Sequence, residues 1–218
     1  MPHVEFRGSD GKIWPSATTL TSLLPQEWVW AWYRQAVFKH GKRGWQRCLA
    51  QTKRGGLIGT EVHGLIEGFI KKEAYPISGK YESERFADAL FDKVNPLVTE
   101  WVALEPHLKS EVLKIHGTAD AIVKWSPQPE LWENVVLDWK TSAAKSETHP
   151  IQLAIYAYCW NESKKGIENH VSKGIIARVD KKSKRLGVKI DEYANLEQYY
   201  PVIEALRTIW QYSQGTEE

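Results

Sequence analysis

The feature that most constrains this fold is a pair of β-patterned segments, 118–125 and 132–139, separated by a turn with two prolines. Both are rich in β-branched and aromatic residues, which predicts antiparallel neighbouring strands. If the turn is centred on its second proline, Asp120 faces Asp138, at the ~5 Å spacing of cross-strand side chains. Lys140 follows two residues later on the same face. The prolines leave a slip of one or two residues open, but the pattern predicts two carboxylates and a lysine together.

The remaining pattern places this strand pair inside an α/β chain. Ser16 is a candidate helix N-cap, glycines at 41 and 44 are expected to break a long helix, and Gly55-Gly56 to end it. The predicted helices cover about residues 17–24, 26–51, 57–72, 83–104, 150–162 and 195–213, and Pro96 is expected to interrupt the fourth of them. The further strands cover 110–115, 174–179 and 186–190, with a short hairpin at 3–14. We therefore expect one domain over residues 1–218, with a helical lobe at about 16–106, a sheet core at about 107–193 and a closing helix at about 195–213.

Two adjacent carboxylates on a mostly apolar strand repel each other, so the pair of Asp120 and Asp138 favours a bound cation. Mg²⁺ accepts carboxylate, carbonyl and water oxygens, and the main-chain carbonyl of Trp139 offers one more such ligand. Beside this ion, Lys140 would stabilise charge that develops on a phosphate or orient an attacking water. The alternative is a structural Lys–Asp pair on a solvated sheet face, which an Asp-x-Lys pattern alone favours.

Three further features favour the metal site. Gly117 lies just before the first aspartate and allows another group to approach the backbone. Gln152 and Tyr156 are four residues apart on one predicted helix, and His63 and Glu67 on another. His63 borders an apolar stripe, so its imidazole is expected to face inward, where it would complete a metal shell. Each pair also has a plainer explanation, as the edge of an amphipathic helix or an ordinary core or surface histidine.

A basic, tryptophan-rich stretch precedes these motifs. Residues 34–56 hold seven basic side chains and no acidic one, although the net charge of the chain is only +2. Rings interleaved with Lys and Arg suit single-stranded nucleic acid, because bases stack on rings and cations follow phosphates. A solvated helix face beside a tryptophan-rich core explains the same pattern. The candidate DNA-binding residues are Trp28, Trp30, Trp32, Arg34, Lys42, Arg43, Trp45, Arg47, Lys53 and Arg54.

Composition excludes several classes of protein. A chain of 218 residues with 42% hydrophobic residues fits one ordinary globular domain. Cys48 and Cys159 are the only cysteines, which excludes a disulfide scaffold, an all-cysteine zinc site and a four-cysteine iron–sulfur cluster. No apolar run is long enough to span a bilayer, and the first ten residues lack a signal-peptide pattern. We therefore expect a cytoplasmic protein that meets no membrane.

These motifs resemble the PD-(D/E)xK nuclease superfamily, in particular its RecB-type branch. The segments at 117–120, 135–142 and 152–156 resemble the motif series of that branch, and the helix with His63 resembles its histidine-bearing motif. Further segments, W14-P-S-A-T-T-L, 59–67 and 111–120, are similar to the mitochondrial genome maintenance exonuclease group. The matching segments occur in the order of the family and spread over most of the chain, which makes the resemblance specific.

The resemblance implies a nuclease core, in which helices flank a mixed central sheet, and an N-terminal lobe that threads a single strand, here residues 26–56. It implies catalytic roles for Asp120, Asp138 and Lys140, and a metal shell of His63, Asp120, Asp138 and the Trp139 carbonyl. The supporting positions that match are Glu67, Glu111, Gln152 and Tyr156. The cysteines of iron–sulfur members are missing from the sequence, so Mg²⁺ or Mn²⁺ is the expected cofactor. Without a basic presequence, a bacterial or bacteriophage protein is expected.

The sequence thus predicts a metal-dependent deoxyribonuclease, an exonuclease that acts on single strands or free ends. DNA is the expected partner, and a monomer is the expected state. The nearest alternative is a structure-specific or restriction-type endonuclease. The alternatives from other classes are a non-catalytic DNA-binding subunit on a nuclease fold and a structural or protein-interaction domain. One or two metal ions, and either polarity of digestion, are compatible with these residues.

Overall fold

The fold is a five-stranded mixed sheet between two layers of helices. It is given by a computed structural model, which describes residues 6–25, 27–73, 81–128, 130–142, 144–164, 167–180 and 186–215. The strands are β1 (Val98–Leu104), β2 (His107–Ser110), β3 (Ile115–Thr118), β4 (Ala121–Gln128), β5 (Leu131–Lys140), β6 (Lys173–Asp180) and β7 (Gly187–Tyr193). The helices are α1 (Ala17–Thr21), α2 (Glu27–Ile70), α3 (Glu82–Val94), α4 (Thr148–Ser163) and α5 (Tyr200–Ser213), with 3₁₀ turns at Asn95–Leu97, Ile167–Asn169 and Leu196–Tyr199. The expected α/β class is confirmed.

The strands of the main sheet lie in the order β1-β4-β5-β6-β7. β5 and β6 are parallel and joined through α4, while the other neighbouring strands are antiparallel. β2 and β3 form a separate two-stranded hairpin that leads into β4. The carboxyl end of β5 and the start of β4 therefore meet at one end of the sheet.

The pairing of β4 with β5 has the register expected from the sequence. Ala121 pairs with Leu137, and Ile122 pairs with Val136. The next position outward holds Asp120 and Asp138, so the fold brings the two carboxylates to the same end of the strand pair.

Side chains alternate between two apolar layers along β5. Val136 packs with α4 and α5, whereas Leu137 and Trp139 pack with α2 and α3. Since successive side chains point to opposite faces, Asp138 and Lys140 lie on the α4 face. The site is thus built where a buried strand ends beneath a helix.

Helix α2 is interrupted at Gly41, where φ is 54° and ψ is −140°, a left-handed conformation that favours glycine. Gly44 leaves room for the carbonyl oxygen of Ala36, which a Cβ there would approach to 2.0 Å. The break expected near these glycines is confirmed. The stop expected at Gly55-Gly56 is wrong: the ~1 kcal/mol cost of each helical glycine is offset by packing of the following turns on the sheet.

Two expectations for the middle of the chain are also wrong. The helix expected over 83–104 ends at Val94, and residues 98–104 form β1, because Pro96 interrupts the helix and V-T-E-W-V-A-L suits an edge strand. The lobe drawn over about 16–106 therefore includes one strand of the sheet. The strand expected at 110–115 is largely the turn between β2 and β3, where Lys114 has a φ of 53°.

The remaining elements agree with the sequence patterns. Ser16 caps α1 by accepting the backbone N–H of Thr19. β6 and β7 form the predicted hairpin, and the closing helix begins as a 3₁₀ turn. Arg7 and Ile13 form an antiparallel bridge, while residues 3–5 of the predicted first hairpin lie outside the described residues. Within the described ranges, no helix is both long and apolar enough to cross a bilayer.

Candidate metal centre

Asp120 lies where α2 crosses the end of the β4–β5 pair. Its Oδ1 is 3.1 Å from Nδ1 of His63 on α2, and its Oδ2 accepts the backbone N–H of Trp139 at 2.7 Å. The turn of α2 that carries His63 is held there by Val62 and Ile66, which pack against the sheet. Asp120, Trp139 and His63 are therefore joined by direct contacts.

Asp138 and Lys140 form a buried ion pair beside Asp120. Oδ2 of Asp138 lies 2.5 Å from Nζ of Lys140, and the aspartate is only 3% exposed. The ammonium group of Lys140 is the described contact of this oxygen. A carboxylate oxygen can accept more than one partner, so Asp138 can also bind a cation.

The charges of these groups perturb one another. Burial raises the pKa of Asp138, and the charge of Asp120 raises it too, while Lys140 opposes both. Burial lowers the pKa of His63, but its hydrogen bond to Asp120 and the charge of that carboxylate outweigh burial, so the pKa is raised overall. The pKa of Lys140 is likewise raised, since the two aspartates outweigh its burial.

These donors fit a hard divalent cation. Two carboxylates, an imidazole and the Trp139 carbonyl are ligands that Mg²⁺ or Mn²⁺ accepts. The described His, Cys, Asp and Glu side chains form no group of three already arranged around a common point. Here Asp120 contacts His63 and Trp139, and Asp138 contacts Lys140. Metal binding at this site would exchange some of these protein contacts for metal–ligand bonds.

A cavity of about 450 Å³ opens beside His63 and Lys140. One wall is α2 at Gly55, Ile58 and Gly59, where two glycines leave the helix surface bare. The other wall is the end of β5 and the residues after it. Gly55, one of the two glycines that the sequence suggested would end the helix, therefore provides space in front of the candidate centre together with Gly59.

A smaller recess on the other side of His63 holds two further carboxylates. Glu67 lines this recess and forms an ion pair with Lys71, four residues along α2. Glu105 also lines it, and it was not among the residues that the sequence predicted for the site. The φ of Glu105 is 43°, and its backbone N–H donates to the Asp120 carbonyl at 2.9 Å. Burial raises the pKa of Glu105, and the charges of Glu67 and Asp120 raise it further. The available signal was an acidic residue directly after an apolar strand.

Gln152 and Tyr156 lie on α4 behind the two aspartates. Nε2 of Gln152 donates to the Tyr156 hydroxyl at 2.8 Å, as their spacing suggested. The ring of Tyr156 is closely packed on Gly117, where a Cβ would lie 2.7 Å from Cε1. Burial raises the pKa of Tyr156, and the charge of Asp138 adds to the shift. The close approach predicted at Gly117 is thus made by a tyrosine of the site.

Glu111 is not brought to this centre. It lies in the β2–β3 turn, where its carboxylate accepts from Ser9 at 2.5 Å and Lys109 at 2.8 Å, and its N–H donates to Glu162. None of these described contacts is with a residue of the candidate metal centre.

The basic stretch lies along α2, on the N-terminal side of the cavity. Trp30, Trp32 and Trp45 surround Tyr33, with ring centroids 6.4, 5.1 and 4.8 Å from it, and Trp30 remains 60% exposed. The side chain of Trp28 lies outside the described part of the structure. All the predicted basic residues are exposed, namely Arg34, Lys42, Arg43, Arg47, Lys53 and Arg54. Arg54 pairs with Glu82 of α3 at 2.9 Å.

Comparison with known proteins does not assign a family. No protein-family model matches the chain, and no curated protein matches it. Among solved structures, the crystal structure of SSO0001 aligns over 74% of each chain with a TM-score of 0.36 and 16% sequence identity. A likeness of this strength assigns neither a fold family nor a function.

Proposed function

We propose that this protein is a Mg²⁺- or Mn²⁺-dependent nuclease that hydrolyses DNA phosphodiester bonds, as an exonuclease on single strands or free ends. The observation that carries the proposal is the meeting of His63, Asp120, Asp138 and Lys140 at the end of two adjacent strands, beside an open cavity. The sequence resemblance to PD-(D/E)xK nucleases supports the same conclusion.

His63, Asp120, Asp138 and the Trp139 carbonyl would hold the cation. When bound, a divalent ion in such a site polarises a phosphate oxygen and lowers the pKa of a water. Trp139 fixes the orientation of Asp120 through its backbone N–H. These residues therefore supply both the negative charge and the rigidity that such an ion needs.

Lys140 would act as a fixed positive charge rather than as a base. The charges of Asp138 and Asp120 raise its pKa, which keeps the ammonium group protonated. It lines the cavity beside His63, where a phosphate group would meet it. A positive group held in place there stabilises the charge that develops on the phosphate in the transition state.

The surface of α2 supports single-stranded DNA as the substrate. Exposed rings and exposed basic side chains lie on the same helix that carries Gly55, Gly59 and His63. Bases stack on such rings and phosphates follow such cations without sequence readout. In this proposal a single strand binds along α2 and reaches the cavity beside Gly55 and Gly59.

The test is hydrolysis of linear single strands, labelled at one end or the other, and of a circular single strand. We expect loss of nucleotides from linear strands with Mg²⁺ or Mn²⁺, none with EDTA, and an intact circle. Asp138→Asn should abolish hydrolysis, whereas Asp88→Asn, at an exposed position on α3, should leave it unchanged. Cleavage of the circle would identify an endonuclease. Strand binding without cleavage in either metal would overturn the proposal and identify a binding subunit.

A further inference from the structure

A second cavity, of about 810 Å³, is lined in part by Tyr156. It is enclosed by the N-terminal turn, α1 and the β2–β3 hairpin. Its volume is within the roughly 300–1,000 Å³ typical of ligand pockets. Gly117 and Tyr156 line this cavity, so it adjoins the candidate metal centre.

The wall of this cavity carries a cluster of aromatic rings. The ring centroid of Phe6 lies 4.6 Å from that of His116, with 31° between their planes, and 5.0 Å from that of His107. The two imidazoles are also within hydrogen-bond distance of each other, 3.3 Å between Nε2 of His107 and Nδ1 of His116. Flat rings grouped in this way suit the stacking of a planar heterocycle such as a nucleobase.

A third cavity, of about 960 Å³, continues from the second and shares Ile13, Trp14 and Trp210 with it. Four basic side chains and one carboxylate line it: Arg7, Lys12, Lys114, Arg207 and Glu204. Lys114 pairs with Asp10 at 3.0 Å, so that charge is partly compensated. The lining is positive overall, which suits phosphate groups.

We propose that these two cavities form a subsite for the substrate strand, with bases on the rings of Phe6, His107 and His116 and phosphates beside the basic residues of the third cavity. The inference rests on the proposed function for the class of ligand, single-stranded nucleic acid. One cavity offers rings and the next offers cations, and the candidate centre is adjacent. A single strand has the matching chemistry, because its bases stack on rings and its phosphates bind cations. This surface is distinct from the exposed face of α2.

The first test measures binding in EDTA, where no cleavage interferes. The probes are a fluorescent thymidine oligonucleotide and an abasic strand of the same length. Phe6→Leu with His107→Ala should weaken binding of the thymidine strand roughly tenfold and leave the abasic strand little changed. Trp132→Leu, which removes an exposed ring that lines neither cavity, is the matched control and should bind as wild type. Equal weakening for both strands, or no weakening, would overturn the stacking subsite.

The second test locates the strand directly, so that a poorly folded variant does not decide the matter. An oligonucleotide with 5-iodouracil is photocrosslinked to the wild-type protein in EDTA, and the modified peptides are identified. Crosslinks to residues 6–19 or 107–118 support the proposal, and crosslinks confined to α2 overturn it. Both tests are independent of hydrolysis: failure of cleavage with retained crosslinks would remove the nuclease function alone.

Discussion

Asp120 accepts a hydrogen bond from the backbone N–H of Trp139 at 2.7 Å. This bond connects the Asp120 side chain to the main chain directly after Asp138. A shift of β4 against β5 by one residue would break this bond and turn the side chains of β4 to the opposite faces of the sheet. The same bond leaves Oδ1 of Asp120 directed at His63. The register of β4 against β5 therefore determines the geometry of the site.

Divalent metal should stabilise the folded protein. At a metal concentration of about 100 times the dissociation constant, linkage gives about 2.7 kcal/mol, a rise in Tm of several degrees. Thermal unfolding with Mn²⁺ and with EDTA measures this difference. We expect it to disappear in Asp120→Asn and to persist in Asp88→Asn. A shift of equal size in both variants would place the ion elsewhere.

Replacing the site lysine should separate cleavage from binding. Lys140→Met removes the fixed charge, and loss of one such group costs about 10²–10³ in rate. Strand affinity in EDTA should change little, because Asp138 compensates the charge of the lysine before the reaction begins. Lys145→Met, at an exposed position nearby, is the control for loss of a cation. Hydrolysis at the wild-type rate in Lys140→Met would exclude the assigned role.

The two adjacent glycines of α2 offer a matched pair. Gly55 lines the cavity beside His63, whereas its neighbour Gly56 does not, and a Cβ at either position meets nothing within 4 Å. Gly55→Leu and Gly56→Leu should each stabilise the helix by about 0.5–1 kcal/mol, measured by urea unfolding. Only Gly55→Leu should lower hydrolysis, since its side chain enters the cavity. Equal activity in the two variants would show that the strand does not use this cavity.

The basic face of α2 should set the salt dependence of binding. When one cation that meets a phosphate is removed, the slope of log affinity against log salt becomes shallower by about 0.7 for a single strand. We expect this change for Arg43→Gln and for Arg47→Gln, and a smaller one for Arg54→Gln, because Arg54 already pairs with Glu82. Titrations of a labelled strand at several salt concentrations give the slopes. Lys189→Gln, on β7, is the control and should leave the slope unchanged.

The buried imidazole of His149 should make the free energy of unfolding depend on pH. Burial, and then the positive charge of Lys140, hold the pKa of His149 at about 4. Arg178 and Lys145 act in the same direction, and Asp191 opposes them. The unfolded chain takes up this proton near its ordinary value of 6.5, and the folded chain only near 4. The stability that depends on the neutral imidazole is therefore complete above about pH 6.5 and is lost as pH falls towards about 4.

Thermal unfolding across this pH range, in EDTA, measures the effect. His149→Asn keeps an acceptor for the backbone N–H of Ser146 but has no proton to gain. The loss of Tm on acidification should therefore be smaller in His149→Asn than in wild type. His40→Asn, at an exposed position on α2, should follow wild type. Parallel curves for wild type and His149→Asn would show that His149 does not contribute to the acid response.

The sequence was most informative where a local pattern leaves few arrangements. Strand alternation, with the turn centred on its second proline, predicted that Asp120 faces Asp138, and the pairing of Ala121 with Leu137 agrees with that register. Helical spacing predicted that Gln152 and Tyr156 are neighbours on one helix, and the structure shows a hydrogen bond between them. Both relationships depend on the periods of strand and helix, which hold regardless of the rest of the fold.

The errors arose where tertiary packing outweighs local preference. Gly55-Gly56 has a low helix propensity, yet packing of the next turns holds α2 helical through both residues. Glu105 lies near Asp120 because β1, which precedes it, pairs with β4 as an edge strand. The helical pattern before Pro96 gave no sign of this strand. The two cavities near the N-terminal turn combine segments from both ends of the chain, so no local pattern points to them.

The interruption at Gly41 divides α2 into two segments that pack on each other, since Tyr33 of the first contacts Trp45 and Thr52 of the second. The second segment is anchored by Val62 and Ile66 and carries His63, while the first carries the exposed ring of Trp30. The turn at Gly41 and these contacts of Tyr33 together set the direction of the first segment relative to the second. A substitution that disfavours the positive φ of Gly41 should therefore move the exposed rings away from the segment that carries His63.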